Sequence, residues 1–101
     1  MLVLGEGAAV LILEEWSSAV DRGATILGEI LGGASTADAH HITAPSPGGV
    51  GAINCMRLAL EEAGVDAADV VHINAHGTST PLNDMAEAFA MQEVFGDDGP
   101  Q

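Results

Sequence analysis

Apolar and polar positions form blocks along the chain that predict both strands and helices. Val10–Leu13 is an uninterrupted apolar run, which is typical of a strand covered on both faces. Residues 24–31 and 70–74 are further short apolar runs bounded by glycine or polar residues. Each of the three runs therefore predicts a strand.

Three other segments have the spacing of helices, each followed by a glycine that can end it. Residues 14–22 predict a short first helix. Residues 50–63 give the clearest pattern, with one apolar stripe formed by Ile53, Met56, Leu60 and Ala63. A third helix is predicted from Met85 to about Phe95, with Asn83 and Asp84 as its caps.

The predicted order is β-α-β-loop-α-β-loop-α, which favours an α/β fold with a mainly parallel sheet between helices. Residues 37–49 carry two prolines and no periodicity, and long irregular loops in compact domains are often functional. The predicted strands are fewer than a usual sheet contains. We therefore expect the chain to be a piece of a larger fold.

Composition narrows the possible partners and the compartment. The 101 residues have a net charge of −13, with two arginines and no lysine, so binding to nucleic acid or to an anionic membrane is not expected. Cys55 is the single cysteine, which excludes an internal disulfide. No apolar run approaches the ~20 residues that span a bilayer. These features predict a soluble, cytoplasmic protein.

Candidate chemistry is concentrated where the last predicted strand ends. His72, Asn74 and His76 share one face if that strand continues, and three hydroxyl residues follow at positions 78–80. A neutral imidazole can donate a hydrogen bond to a developing oxyanion, and hydroxyls suit an uncharged amide-bearing ligand. The alternative is that these hydroxyls only complete the turn and cap the next helix.

Two other candidate sites are weaker. His72 and His76 are four residues apart, and His40 and His41 lie together in the long loop, but neither pair has the companions of a zinc motif. No metal site is therefore predicted. Cys55 lies on the apolar side of a helix without a basic neighbour in sequence, so it is interpreted as a packing residue.

Three motifs occur in an order and spacing that closely resemble the β-ketoacyl-acyl-carrier-protein synthases, with synthase II as the nearest type. They are residues 74–84 (NAHGTSTPLND), residues 5–11 (GEGAAVL) and residues 38–45 (DAHHITAP). The resemblance implies a thiolase-like layered fold made of two related halves. Residues 1–31 then resemble the end of the N-terminal half, and residues 32–101 the start of the C-terminal half.

The resemblance also implies a reaction and roles for individual residues. The family condenses an acyl thioester with malonyl-carrier by decarboxylation, in fatty-acid elongation. His76 matches the first of two histidines that stabilise the thioester oxygen. Thr78 and Thr80 match residues that bind the pantetheine amides, and Thr43 lies in a loop near the same tunnel. A supporting polar network is formed by Asn74, Asp84 and Glu87. No cofactor is implied beyond the phosphopantetheine of the acyl carrier protein, and the parent enzyme is expected to be a homodimer.

The chain departs from the family at the other catalytic positions. Cys55 does not match the nucleophilic cysteine, and no residue here matches the second histidine or the lysine near it. The 101-residue chain alone is therefore expected to be inactive. Two alternatives stay open: a piece of a polyketide ketosynthase domain, and a non-catalytic module that binds a pantetheine arm.

Overall fold

The computed structural model describes residues 5–97 and 99–100, so the ends of the ranges 1–31 and 32–101 lie outside the described residues. Three α-helices are present in this part of the chain. They are connected by irregular segments that include two short 3-10 turns, at Pro47–Gly49 and Ala67–Asp69. The helices are α1 (Trp16–Asp21), α2 (Val50–Ala63) and α3 (Pro81–Phe95).

The first predicted helix is confirmed as the shorter α1. Its C-terminus is closed by two backbone hydrogen bonds, from Gly23 to the Val20 carbonyl at 3.0 Å and from Ala24 to the Ala19 carbonyl at 2.9 Å. Gly23 adopts φ +67°, the left-handed conformation that this type of helix end requires.

The second helix has the predicted bounds, and its apolar stripe faces the protein. Ile53 is buried and Met56 and Leu60 are half-buried, whereas Arg57 and Glu61, outside the apolar stripe, are exposed. The periodicity of apolar residues therefore identified the correct face of α2.

The start of the third helix was wrong in the sequence-based prediction. The helix begins at Pro81 with Thr80 as its N-cap, so Asn83 and Asp84 lie inside the first turn and do not cap it. The Asp84 N–H already donates to the Thr80 carbonyl at 2.9 Å. Proline is favoured at the first helical position because its φ is preset and it lacks the N–H that would have no partner there. The predicted end at Phe95 is confirmed.

The three predicted strands are absent from the described residues. A strand is defined by backbone hydrogen bonds to a neighbour, and the runs at 10–13, 24–31 and 70–74 make no such ladder with one another in that part of the chain. Val10–Leu13, predicted to be covered on both faces, is exposed instead, with Val10 at 84%. Together with residues 24–30 it lines an apolar cleft of about 660 Å³.

Buried apolar side chains are few in the described residues: Ala19, Ile53 and Ala90. The best-packed region is the contact of α2 and the turn before it with α3. Gly49 in that turn adopts φ +63° and lies so close to α3 that an added Cβ would stand 2.6 Å from the Ala86 carbonyl oxygen. This contact packs the start of α2 against the middle of α3, and the first residues of both helices line the groove of the candidate site.

Candidate functional site

The loop at residues 38–46 is held in shape by its own side chains. The Asp38 carboxylate accepts the Ser46 N–H at 2.7 Å, across the base of the loop. His41 Nδ1 accepts the N–H groups of Thr43 and Ala44, both at 3.1 Å. The imidazole of His41 thus acts as an acceptor at Nδ1 and orders the backbone at Thr43.

The base of this loop is also packed against the start of α2. Gly51 lies so close to the Asp38 carboxylate that an added Cβ would collide with it. Thr36 Oγ1 donates to the Gly51 carbonyl at 2.9 Å. The loop is thus attached to the helix at both its entry and its base.

The second loop, residues 74–80, is anchored to α3 through Glu87. One oxygen of the Glu87 carboxylate accepts the His76 N–H at 2.7 Å, and the other accepts the Gly77 N–H at 2.9 Å. The second oxygen also accepts the Asn83 side-chain amide at 3.3 Å. The first two contacts connect the backbone at His76 and Gly77 to α3, through a side chain 11 residues after His76 in sequence.

Both loops contain a residue other than glycine in the left-handed region of backbone conformation. Ala39 has φ +49° and Ser79 has φ +62°. This conformation costs such residues about 1–2 kcal/mol each, because Cβ approaches the following carbonyl oxygen. Such backbone outliers are concentrated at functional sites in proteins, and here both adjoin the same groove.

An open groove of about 1020 Å³ lies between the two loops and the start of α2. Thr43 lines it from the first loop, and Thr78 and Thr80 line it from the second. The hydroxyl oxygens of Thr78 and Thr80 are 2.8 Å apart and share a hydrogen bond. Three threonines predicted from two separate motifs therefore line one groove, whose walls include the apolar side chains of Ala52 and Leu82.

The other predicted site residues lie outside the groove. His76, Asn74 and Asp84 are exposed and are not part of its lining, and Glu87 lies half-buried behind the second loop. The role of His76 as a donor to a thioester oxygen therefore stays a prediction. His76 is held at the backbone, two positions before the groove residue Thr78.

Some residues of this region were not singled out as site residues from the sequence. Asp38 and His41 shape the first loop, and Asn83 contacts Glu87 where a helix cap was predicted. Cys55 borders the groove, half-buried, and its thiol donates to the Ala34 carbonyl at 3.3 Å. The four-residue spacing of Asn83 and Glu87 was the available signal, because such pairs are neighbours on a helix.

The surroundings of Glu87 favour its charged form. Burial by itself would raise the pKa of the Glu87 carboxyl, but the hydrogen bonds from Gly77, His76 and Asn83 together outweigh it. The nearby His76 imidazole acts in the same direction, and the resulting pKa lies below its ordinary value. Glu87 is therefore an anion at neutral pH and a strong acceptor for the loop N–H groups.

Metal binding and membrane insertion receive no support from the described residues. Residues 5–97 and 99–100 bring together no group of three or more His, Cys, Asp or Glu side chains that could hold a metal ion. The helices in the same part of the chain do not reach the length and apolar character needed to cross a membrane.

The chain belongs to the β-ketoacyl synthase family. The model of the beta-ketoacyl synthase C-terminal domain matches residues 27–101. A 3-oxoacyl-[acyl-carrier-protein] synthase 2 of Staphylococcus aureus is 48% identical over 95 residues, which are 94% of this chain and 24% of that protein. The chain therefore spans about a quarter of the length of this relative.

Solved structures place the chain in the thiolase-like class of ketosynthase folds. The ishigamide ketosynthase/chain length factor matches with a TM-score of 0.80 at 43% identity, covering 85% of this chain and 21% of that one. A type II PKS acyl-carrier protein in complex with its ketosynthase bound to the hexaketide matches with a TM-score of 0.79 at 37% identity, covering 83% and 21%.

Proposed function

We propose that the chain is part of an elongating β-ketoacyl-acyl-carrier-protein synthase. The complete enzyme would join an acyl thioester to malonyl-carrier by decarboxylative Claisen condensation, in fatty-acid synthesis. Membership of the family and the 48% identity to a synthase 2 support this reaction. The enzyme would be an acyltransferase that needs no cofactor beyond the phosphopantetheine of its acyl carrier protein.

The observation that carries the proposal is the meeting of Thr43, Thr78 and Thr80 in one groove. A pantetheine arm is uncharged along most of its length and offers two amides, which hydroxyl groups can bind without a cation. The groove is lined by threonines and apolar side chains, together with the polar side chains of Asp38, His41 and Asn83, and by no lysine or arginine. It therefore suits this arm better than it suits a phosphate.

His76 would donate a hydrogen bond to the thioester oxygen as malonyl-carrier loses carbon dioxide and an enolate forms. One donor of this kind contributes about 3 kcal/mol to the transition state. In the complete enzyme, the exposed face of His76 would be covered by residues outside this chain. Asn74, Asp84 and Glu87 would form the polar network around it, and the Glu87 contact to the His76 N–H supports that part.

The chain lacks the other members of the catalytic set that the family resemblance implies. Cys55, on α2, is its single cysteine, and its thiol donates a hydrogen bond to the Ala34 carbonyl. No acyl-enzyme is expected from this chain alone, because catalytic residues that act as a unit lose most of their effect when one is missing. Acyl transfer from an acyl carrier to the purified 101-residue chain would contradict this statement.

We further propose the arrangement of the complete enzyme. Residues 1–31 would end its N-terminal thiolase-like half and residues 32–101 would begin the other, in the order β-α-β-loop-α-β-loop-α. The match of the C-terminal-domain model from residue 27 supports a boundary near this point. A cytoplasmic homodimer that binds an acyl carrier protein is the assembly we expect.

A second candidate is a ketosynthase domain of polyketide synthesis. It is favoured by the structural matches to the ishigamide ketosynthase/chain length factor and to a type II PKS ketosynthase complex. Both candidates use the same first condensation and the same pantetheine groove. They differ in whether the β-keto product is extended again before its keto group is reduced.

The test is to replace the matching segment of the Staphylococcus aureus synthase 2 with this chain and to assay the hybrid enzyme. We expect condensation of an acyl carrier with malonyl-carrier, giving one β-keto product per turnover. Repeated extension to a poly-β-ketone would favour the polyketide candidate. A hybrid that forms the acyl-enzyme but does not decarboxylate malonyl-carrier would contradict the role assigned to this segment.

A further inference from the structure

The backbone at His76 and Gly77 forms a small anion-binding concavity that one carboxylate of the protein occupies. Two successive N–H groups point to the same side and are accepted by the two oxygens of Glu87, at 2.7 and 2.9 Å. Gly77 makes this geometry possible, because its φ of +53° turns the chain in a direction that other residues rarely adopt. Successive N–H groups in such a turn ordinarily bind an anion.

Glu87 is itself held in place by its helix. It lies one turn after Asn83 on α3, and the Asn83 amide donates to the same carboxylate oxygen that accepts the Gly77 N–H. The carboxylate thus receives hydrogen bonds from two backbone groups and one side chain. The rigid helix therefore fixes the position of the loop and not only its shape.

The residue that follows the two anchored residues in sequence lines the groove. Gly77 precedes Thr78, whose hydroxyl lines the groove and shares a hydrogen bond with Thr80. A backbone shift at residue 77 would move the hydroxyl of Thr78 and the imidazole of His76 together. The anchor therefore acts on both the predicted oxyanion donor and the predicted pantetheine contact.

We propose that Glu87 and Asn83 are positioning residues that set the backbone at His76–Gly77 and so align the imidazole with the pantetheine groove. The alignment of the imidazole with the groove rests on the proposed function. The anchor, which is the set of hydrogen bonds between Glu87 and the backbone at His76 and Gly77, does not depend on it. Because Glu87 fills the concavity, this turn does not bind the phosphate of phosphopantetheine. A glutamine at position 87 could not replace the carboxylate, since one of its two terminal groups is a donor facing an N–H.

The test is a pH titration of the backbone amides of the 101-residue chain by NMR. Amide protons bonded to a carboxylate move upfield when that carboxylate is protonated. We expect the Gly77 and His76 amides to shift with a common midpoint at acidic pH. Gly77 is the cleaner probe, because it has no ionisable side chain, whereas His76 has one that also acts on the Glu87 carboxylate.

Variants show whether the acidic transition at these amides comes from Glu87 or from another acidic group. Glu87→Gln should abolish the acidic transition at both amides, and Asn83→Ala should move its midpoint to higher pH because a donor to the charged form is lost. Glu93→Gln, an exposed position on the same helix, should leave the transition unchanged. Amides of α2 report whether each variant is folded. If Glu87→Gln does not fold, the midpoint of the Gly77 transition in Asn83→Ala tests the anchor instead.

The proposal is overturned if the Gly77 amide shows no acidic transition in the folded chain, or if the transition persists in Glu87→Gln. Addition of pantetheine provides the independent readout. If pantetheine shifts no Thr78 or Thr80 signal while Gly77 titrates with Glu87, the anchor stands and the proposed function fails. If pantetheine binds and Gly77 does not titrate, the function stands and the anchor fails.

Discussion

Gly49 lies against Ala86, and the contact leaves no room for a side chain. An added Cβ would stand 2.6 Å from the Ala86 carbonyl oxygen and 3.4 Å from the Ala90 side chain. Ala90 is fully buried, so α3 cannot easily move away. The joint between the turn before α2 and α3 therefore depends on a glycine, and the groove depends on that joint.

Gly49→Ala should lower the free energy of unfolding by more than the strain of placing an alanine at a positive φ. The positive φ costs about 1–2 kcal/mol, and the steric overlap adds about 1–3 kcal/mol. Gly48→Ala is the matched control, because Gly48 has φ +73° but no atom within 4 Å of its added Cβ. Urea denaturation of both variants measures the loss of unfolding free energy in each. Equal losses would contradict the prediction, because they would show that α3 moves and relieves the overlap.

Ile53→Ala should cost about 2–4 kcal/mol of unfolding free energy, because it removes a buried side chain of α2. Leu58→Ala on the same helix should cost under about 1 kcal/mol, since Leu58 is 48% exposed. Thermal or urea unfolding compares the two. A larger loss for Leu58→Ala would contradict the orientation of α2.

Thr78→Val should weaken binding of pantetheine to the chain about fivefold, which corresponds to one hydrogen bond of about 1 kcal/mol. Thr43→Val should have a similar effect from the opposite side of the groove. Thr25→Val is the control, because Thr25 lines the separate apolar cleft. Titration calorimetry or ligand-induced NMR shifts measure the affinities, and unchanged binding in both groove variants would contradict the assignment of the groove.

His76→Ala in the hybrid synthase should lower the rate of malonyl-carrier decarboxylation about 10²–10³-fold, because one oxyanion donor is lost. Formation of the acyl-enzyme should be affected much less, which separates this loss from misfolding. His72→Ala is the control, since His72 is exposed and is not assigned a role. Equal effects of the two variants on decarboxylation would remove the basis for choosing His76.

Stability should fall at acidic pH in a way that depends on Glu87. Its pKa is lowered in the folded chain, so its stabilising effect is fully present above the unfolded pKa of about 4.3. That contribution is lost as pH falls through the folded pKa. Urea midpoints of the wild type and of Glu87→Gln should converge as pH falls below 4, and Glu93→Gln should follow the wild type throughout.

How far the sequence predicts the fold can be judged from particular elements. The 3.6-residue period located α2 to the residue and gave its buried face, because the signal extends over four turns of one helix. The start of α3 was missed, because Asn83 and Asp84 are residue types that often cap helices. The helix begins earlier, at Pro81, since the fixed φ of proline suits the first helical position. The strand-like runs were read from apolar character, but strand formation also requires backbone partners.

The sequence by itself determined the family and supplied the hydroxyl and imidazole residues predicted for the site, because these depend on local motifs. The tertiary structure decided that Thr43 and Thr78 face the same groove, that His76 lies outside it, and that Glu87 holds the backbone between them. The physical reason is distance along the chain. The contact between His76 and Glu87, 11 positions apart, and the shared groove of Thr43 and Thr78 arise only when packed helices bring their loops together, and no local pattern records that packing.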